Sequence, residues 1–204
     1  MTRMQNNITR RSALAGLVAA TGVAGFAAPA FALNTAQAER LINGMITEIN
    51  RIINSGRSER QMIAQFEAVF TKYSDVPIIA RSALGVTARS ASSAQMSAFT
   101  DAFSGYLSRK YGKRFREFVG GRLEVKSARP VKTFFEVKTT AFLQGESPFE
   151  VIFLVSDKSG RNLFFNMYIE GVNMLASERA EIGAMLDRRG GNLDRLIADL
   201  KKAG

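Results

Sequence analysis

Apolar residues recur every three or four positions up to Gly120-Gly121, and at every second position in the stretch that follows. That switch constrains the fold more than any other feature. A period near 3.6 lays side chains along one stripe of a helix, whereas a period of two lays them on one face of a strand. Before the switch, Leu41, Ile42, Met45, Ile46, Ile49, Ile52 and Ile53 predict a helix over 35–55 that stops at Gly56. A second begins near Ser58 with Met62, Ile63, Phe66, Val69 and Phe70 on its apolar side, and a short third spans 75–84 ahead of Gly85. Ser92-x-x-Gln95 has the form of a capping box, in which hydroxyl and amide satisfy the open N–H groups of a helix start. It opens the longest predicted helix, 93–119, whose stripe is Met96, Phe99, Phe103, Tyr106, Leu107, Tyr111, Phe115 and Phe118.

After the switch, β-branched and aromatic residues alternate with polar ones and predict strands over 122–128, 132–144, 149–156 and 162–175. Arg129-Pro130, Gly145-Glu146-Ser147-Pro148 and Asp157-Lys158-Ser159-Gly160 read as hairpin-length connections. Ser177 is the expected cap of a helix ending before Gly190-Gly191, and Asn192 that of a closing helix through Leu193, Leu196, Ile197 and Leu200. The order predicts an α+β domain in which a curved four-stranded antiparallel sheet lies under helices.

One face of that sheet holds Phe135, Val137, Ala141, Leu143, Phe149, Val151, Phe153, Val155, Leu163, Phe165, Met167 and Ile169. The other, with Phe134, Glu136, Lys138, Thr140, Phe142, Glu150, Ile152, Leu154, Phe164, Asn166 and Tyr168, is mixed. The first set fits either a filled core or an apolar pocket between sheet and helices. The many Phe and Met residues, in a chain without Trp, favour the adaptable pocket.

Residues 1–32 stand apart. Arg3, Arg10 and Arg11 precede an uncharged run that ends in Ala30-Phe31-Ala32, the arrangement of an export signal cleaved near Ala32. Thr9-Arg10-Arg11-Ser12-Ala13-Leu14 also resembles a twin-arginine signal, and a retained anchor is the other reading of this run. Residues 33–204 are expected to form one exported domain.

The chain has no His and no Cys, which excludes imidazole- or thiol-based nucleophilic catalysis and zinc–thiolate sites. An enzyme would have to work with carboxylates alone, Asp75, Glu136 and Glu170 being the candidates, and no pair of them has diagnostic spacing. The formal charge is +10, and between residues 109 and 132 nine basic side chains face only Glu117 and Glu124. That segment fits a solvated helix face, a surface for anionic headgroups or an acidic partner, or a nucleic-acid site. The last lacks an exposed stacking platform, since the helix aromatics share one stripe.

Tyr168-Ile169-Glu170-Gly171-Val172-Asn173-Met174-Leu175, followed by Glu178-Arg179-Ala180-Glu181-Ile182, resembles the strand-to-helix signature of the MlaC or toluene-tolerance family of periplasmic phospholipid-binding proteins. Ile79-Ala80-Arg81 with Leu84-Gly85, then Ala91-Ser92 with Gln95, Phe99, Phe103 and Tyr111, and the closing Gly191-x-Leu193-Asp194-x-Leu196-Ile197-x-x-Leu200 are similar in the same order. Departures are Asn173 in place of the family's Ser, Asn166 in place of an acidic residue, and the missing tryptophans. The resemblance implies an NTF2-like cone with an apolar pocket that holds phospholipid acyl chains. It implies a monomeric carrier without cofactor or catalysis, serving an inner-membrane Mla ABC transporter complex and an outer-membrane lipoprotein–porin complex. Placed on that pattern, Ile79, Phe99, Phe103, Tyr106, Phe135, Val137, Val151, Phe153, Val155, Phe165, Met167 and Ile169 are the expected pocket, and Arg109, Lys113, Arg114, Arg116 and Arg122 the headgroup or docking cations. The alternative is a cell-envelope adaptor with a filled core.

Overall fold

The structure is a computed structural model that describes residues 33–113 and 120–204. Each helix begins where a polar side chain can replace the missing intrahelical acceptor. Asn34 and Gln37 cap each other's backbone N–H at 2.9 Å and open α1, Thr35–Ile53. Ser58 precedes α2, Glu59–Tyr73, and Asp75 caps α3, Val76–Leu84, which has Pro77 in its first turn. Gly85 then takes a positive φ of 66°, and a short 3-10 turn, Gly85–Arg89, leads to the expected Ser92–Gln95 box and α4, Ser93–Gly112. Lys113 is the C-cap of α4, and residues 114–119 of the predicted 93–119 helix lie outside the described residues.

The sheet is an antiparallel meander in sequence order: β1 Arg122–Val131, β2 Phe134–Phe142, β3 Phe149–Ser156, β4 Leu163–Ile169 and β5 Val172–Asn173. Two boundaries differ from the sequence reading. Arg129 and Pro130 belong to β1, opposite Glu136 and Phe135, and the hairpin turns at Lys132-Thr133 with Lys132 at φ 52°. Proline is tolerated there because β1 is an edge strand, where some N–H groups need no partner.

The expected 162–175 strand also ends early. Glu170 and Gly171, at φ 48° and 79°, make a two-residue turn with both central residues left-handed. The chain folds back as β5, a fifth strand where four were expected, with Val172 opposite Ile169 and Asn173 opposite Tyr168. Asn173, not Ser177, caps α5, Met174–Asp187, by accepting from the Ala176 N–H at 3.1 Å. The Ser177 hydroxyl instead donates to the Asn173 carbonyl. Asn192 caps α6, Leu193–Leu200, as expected.

Helix α1 packs on β1 and β2, α3 and α5 on β4, and α4 lies among α2, α3 and α6. One apolar cluster runs through α1 to α6 and the covered face of the sheet. The close approach of α2 and α4 requires Gly112, since a Cβ there would stand 2.7 Å from Ile63 Cγ1.

Candidate functional site

Strand register sorts the covered face of the sheet into four rows. Leu123, Ala141 and Phe149 form the first, and Val125, Thr139, Val151 and Ile169 the second. Ala128, Val137, Phe153 and Met167 form the third, and Pro130, Phe135, Val155 and Phe164 the fourth. Helices supply the opposite wall: Ile42, Met45 and Ile46 from α1, Ile79 from α3, and Phe99, Phe103 and Tyr106 from α4. Phe99 and Phe103 stack with ring centroids 5.5 Å apart, Tyr106 continues the ladder at 6.3 Å, and Phe153 meets Phe164 edge-on at 5.7 Å.

Eleven of the twelve expected pocket residues therefore meet in this one interior. The exception is Phe165. A β-bulge in β4 pairs Leu154 with Asn166 and Val155 with Phe164, so Phe165 is the extra residue. Its ring packs edge-on against Phe134, 5.7 Å away, on the opposite face, while Phe164 turns inward against Phe70 and Phe153. Strict alternation chose the wrong member of the Phe164-Phe165 pair, and two adjacent phenylalanines gave no signal that a bulge intervenes.

Sequence reasoning also passed over Thr139, fully buried among apolar neighbours. Its hydroxyl donates to the Val151 carbonyl at 2.8 Å, so a polar atom sits on the covered face without an unsatisfied bond.

Phe99, Phe103, Val137 and Val155, at 0% exposure, mark the most deeply buried part of this interior. Every row has half-buried members around this buried centre: Leu123, Phe149, Val125 and Ile169 in the first two, Ala128, Met167 and Phe135 in the others, all packed against the core from its rim. Two open depressions lie elsewhere. One of about 660 Å³ adjoins the ends of α5 and α6, lined by Met185, Arg188, Arg189, Asp199, Lys202 and Ala203. The other, about 350 Å³, is flanked by α1 and α2 beside Arg51, Arg57 and Gln65.

The expected docking cations have internal partners wherever they are described. Arg109 donates from Nε to the Ala203 carbonyl at 2.8 Å and from Nη2 to the Leu200 carbonyl at 2.5 Å, closing the end of α6. Lys113 donates to the Gly204 carbonyl at 2.6 Å. Arg122 pairs with Glu124 at 2.7 Å and stacks 4.0 Å above the Phe142 ring. These three thus have structural duties the sequence reading did not assign. Arg114 and Arg116 lie outside the described residues.

Between α4 and α5, Lys110 bridges Glu178 at 2.7 Å and Glu181 at 2.5 Å, Tyr106 donates to Glu181, and Tyr111 donates to Glu178. Burial opposes the charge on Lys110, yet the two carboxylate hydrogen bonds prevail and raise its pKa. Burial first, then the hydrogen bond to a carboxylate, pushes up the Tyr106 and Tyr111 hydroxyls. Against the cost of burial, hydrogen bonds from Lys110 and Tyr106 hold Glu181 below its ordinary range.

The carboxylates considered for catalysis do not converge. Asp75 caps α3, Glu136 pairs with Arg129 at 2.5 Å on the uncovered face, and Glu170 sits exposed in the turn before β5. Among the described residues no group of three or more acidic side chains is placed to hold a metal ion, and no helix is long and apolar enough to cross a membrane.

The sequence pattern of the MlaC protein family matches residues 43–202. Among solved structures, a phospholipid-binding protein from Ralstonia solanacearum, determined in complex with a phospholipid, has the same fold. The TM-score is 0.68 at 18% identity, over 80% of this chain and 98% of that one.

Proposed function

The chain belongs to the MlaC family, and on that premise we propose that it is a periplasmic phospholipid carrier. It receives a glycerophospholipid between sheet and helices and exchanges it with an inner-membrane ABC transporter complex and an outer-membrane lipoprotein–porin complex. The observation that carries this reading is the apolar interior whose rim, Leu123, Val125, Phe149 and Ile169, is only half-buried. Its likeness in fold to a protein solved with a bound phospholipid supports it.

The energetics require a carrier and describe how this one works. Burying a methylene is worth ~0.8 kcal/mol, so two acyl chains represent about 20 kcal/mol that a lipid would forfeit in water. In this reading the acyl chains enter past half-buried side chains such as Phe149 and Ile169 toward the buried Val137 and Phe153. Contacts between side chains are then exchanged for contacts with acyl chains, which keeps the transfer close to balanced in either direction. A ligand passes between two sites only by their difference in affinity, so net direction comes from the partner complexes.

Such work needs no nucleophile, acid or metal. Arg114 and Arg116 belong to the cationic segment expected to meet an anionic surface. Reversing both is expected to slow transfer to anionic vesicles, with the defect shrinking as salt rises; a defect independent of salt would count against this role. Residues 1–32 act as an export signal in this reading.

Protein purified without detergent, extracted with organic solvent and analysed by mass spectrometry tests the carrier reading. Stoichiometric phospholipid is expected. Folded protein that brings none, and acquires none from vesicles, would favour the second reading, an envelope adaptor, for which the full burial of Phe99, Phe103, Val137 and Val155 is the supporting observation.

A further inference from the structure

Leu33 stands immediately before the cap of α1, and its backbone N–H donates to Asp157 Oδ2 at 3.1 Å. Asp157 begins the turn between β3 and β4, where its carbonyl accepts from the Gly160 N–H at 2.9 Å, so the carboxylate is held by a closed loop. The Leu33 side chain is only 8% exposed and belongs to the main apolar cluster. Chain starts usually fray unless something ties them down, and here both a side chain and a backbone nitrogen are tied.

The sequence just ahead is Ala30-Phe31-Ala32, with small residues at the positions an export peptidase requires. We propose that Ala32–Leu33 is the scissile bond and that Asp157 is the seat for the amino terminus this cleavage creates. The proposal rests on the export reading above. In the hydrolysis, the water oxygen goes to the Ala32 carbonyl carbon, which is left as a carboxylate, and both water protons end on the Leu33 nitrogen, which leaves as an α-ammonium. The uncut chain offers Asp157 one neutral N–H; the cut chain offers a full positive charge at the same place. Charge-assisted pairs of this kind are about twice as strong as neutral hydrogen bonds.

The geometry also separates this bond from its neighbours. Cleavage after Ala30, which Ala28-Pro29-Ala30 would permit, leaves Phe31 and Ala32 in front of Leu33 and its nitrogen an amide. Ala36-Gln37-Ala38 lies inside α1 with Ala38 fully buried. Because Leu33 is buried, the peptidase must act while this residue is undocked. Cleavage therefore precedes docking, and the new charge holds the terminus down once it has docked.

Protein recovered from the periplasm after synthesis with its own leader should begin at Leu33 by intact mass. Periplasmic protein with another terminus overturns the proposal, whereas full-length protein retained in the cytoplasm refutes the export reading instead. The seat is tested on the chain starting at Leu33 by crossing Asp157→Asn with acetylation of the terminal amine. Each change alone should lower the thermal midpoint by about 2–4 °C, and the two together by little more than either, since they remove the same pair. Fully additive shifts, or no shift on acetylation, would overturn it. If the Asp157→Asn variant does not fold, the acetylation shift in the parent chain decides alone.

Discussion

A guanidinium beside two carbonyls at a helix end has its hydrogen bonds made for it. Arg109 takes the Leu200 and Ala203 carbonyls, which α6 cannot satisfy itself, and its charge lies at the negative end of that helix. Arg109→Met should therefore destabilise the fold by about 1–2 kcal/mol and leave phospholipid content unchanged; thermal unfolding and lipid extraction measure the two effects separately. In the interior, Phe103 and Phe149 separate core from rim. An unpaired charge at fully buried Phe103 costs several kcal/mol, comparable to a domain's whole stability, so Phe103→Asp should not fold. Phe149→Asp can keep its carboxylate at the half-exposed rim, and is expected to fold with near-native circular dichroism while losing most of its lipid. Composition could not tell these phenylalanines apart, because exposure depends on which row and which end of the sheet a residue reaches.

At the scale of elements, the junction of α4 and α5 links stability to pH at both extremes. The Glu181 carboxyl is depressed in the folded chain, so its contribution is present above the ordinary value of 4.5 and lost as pH falls. Lys110, Tyr106 and Tyr111 are raised, so their contributions are complete below the ordinary 10.5 for Lys and 10.0 for Tyr and are lost as pH rises further. Thermal midpoints measured across pH should be level from about 6 to 9 and fall on either side; a continuous slope through neutrality would contradict this assignment. Where α2 crosses α4, Gly112→Ala should destabilise although Ala is the better helix former by ~1 kcal/mol, because the new methyl meets Ile63. Calorimetry reads the sign. Helices and their starts at Ser92 and Asn192 were legible because capping is local chemistry. The Glu170-Gly171 turn and the Asn173 cap were not, since an alternating stretch continues in sequence through a reversal that only backbone dihedrals reveal.

For the whole molecule, the α+β order, the meander and most of the interior were readable from the change of period at Gly120-Gly121. Whether that interior is open or filled was not, since alternation says which residues face inward and nothing about the space between them. In the proposed carrier, acyl chains take up contacts on the covered face of the sheet. The uncovered face offers a rival surface, where Phe134, Phe142 and Phe165 lie among paired charges such as Arg129–Glu136 and Lys138–Glu150. A phospholipid carrying a photoreactive group at the end of an acyl chain distinguishes the two faces directly, with adducts located by peptide mass spectrometry. Labelling is expected at Val137, Val151, Phe153 and the helix residues facing them; adducts confined to Phe134, Phe142 and Phe165 would contradict the account.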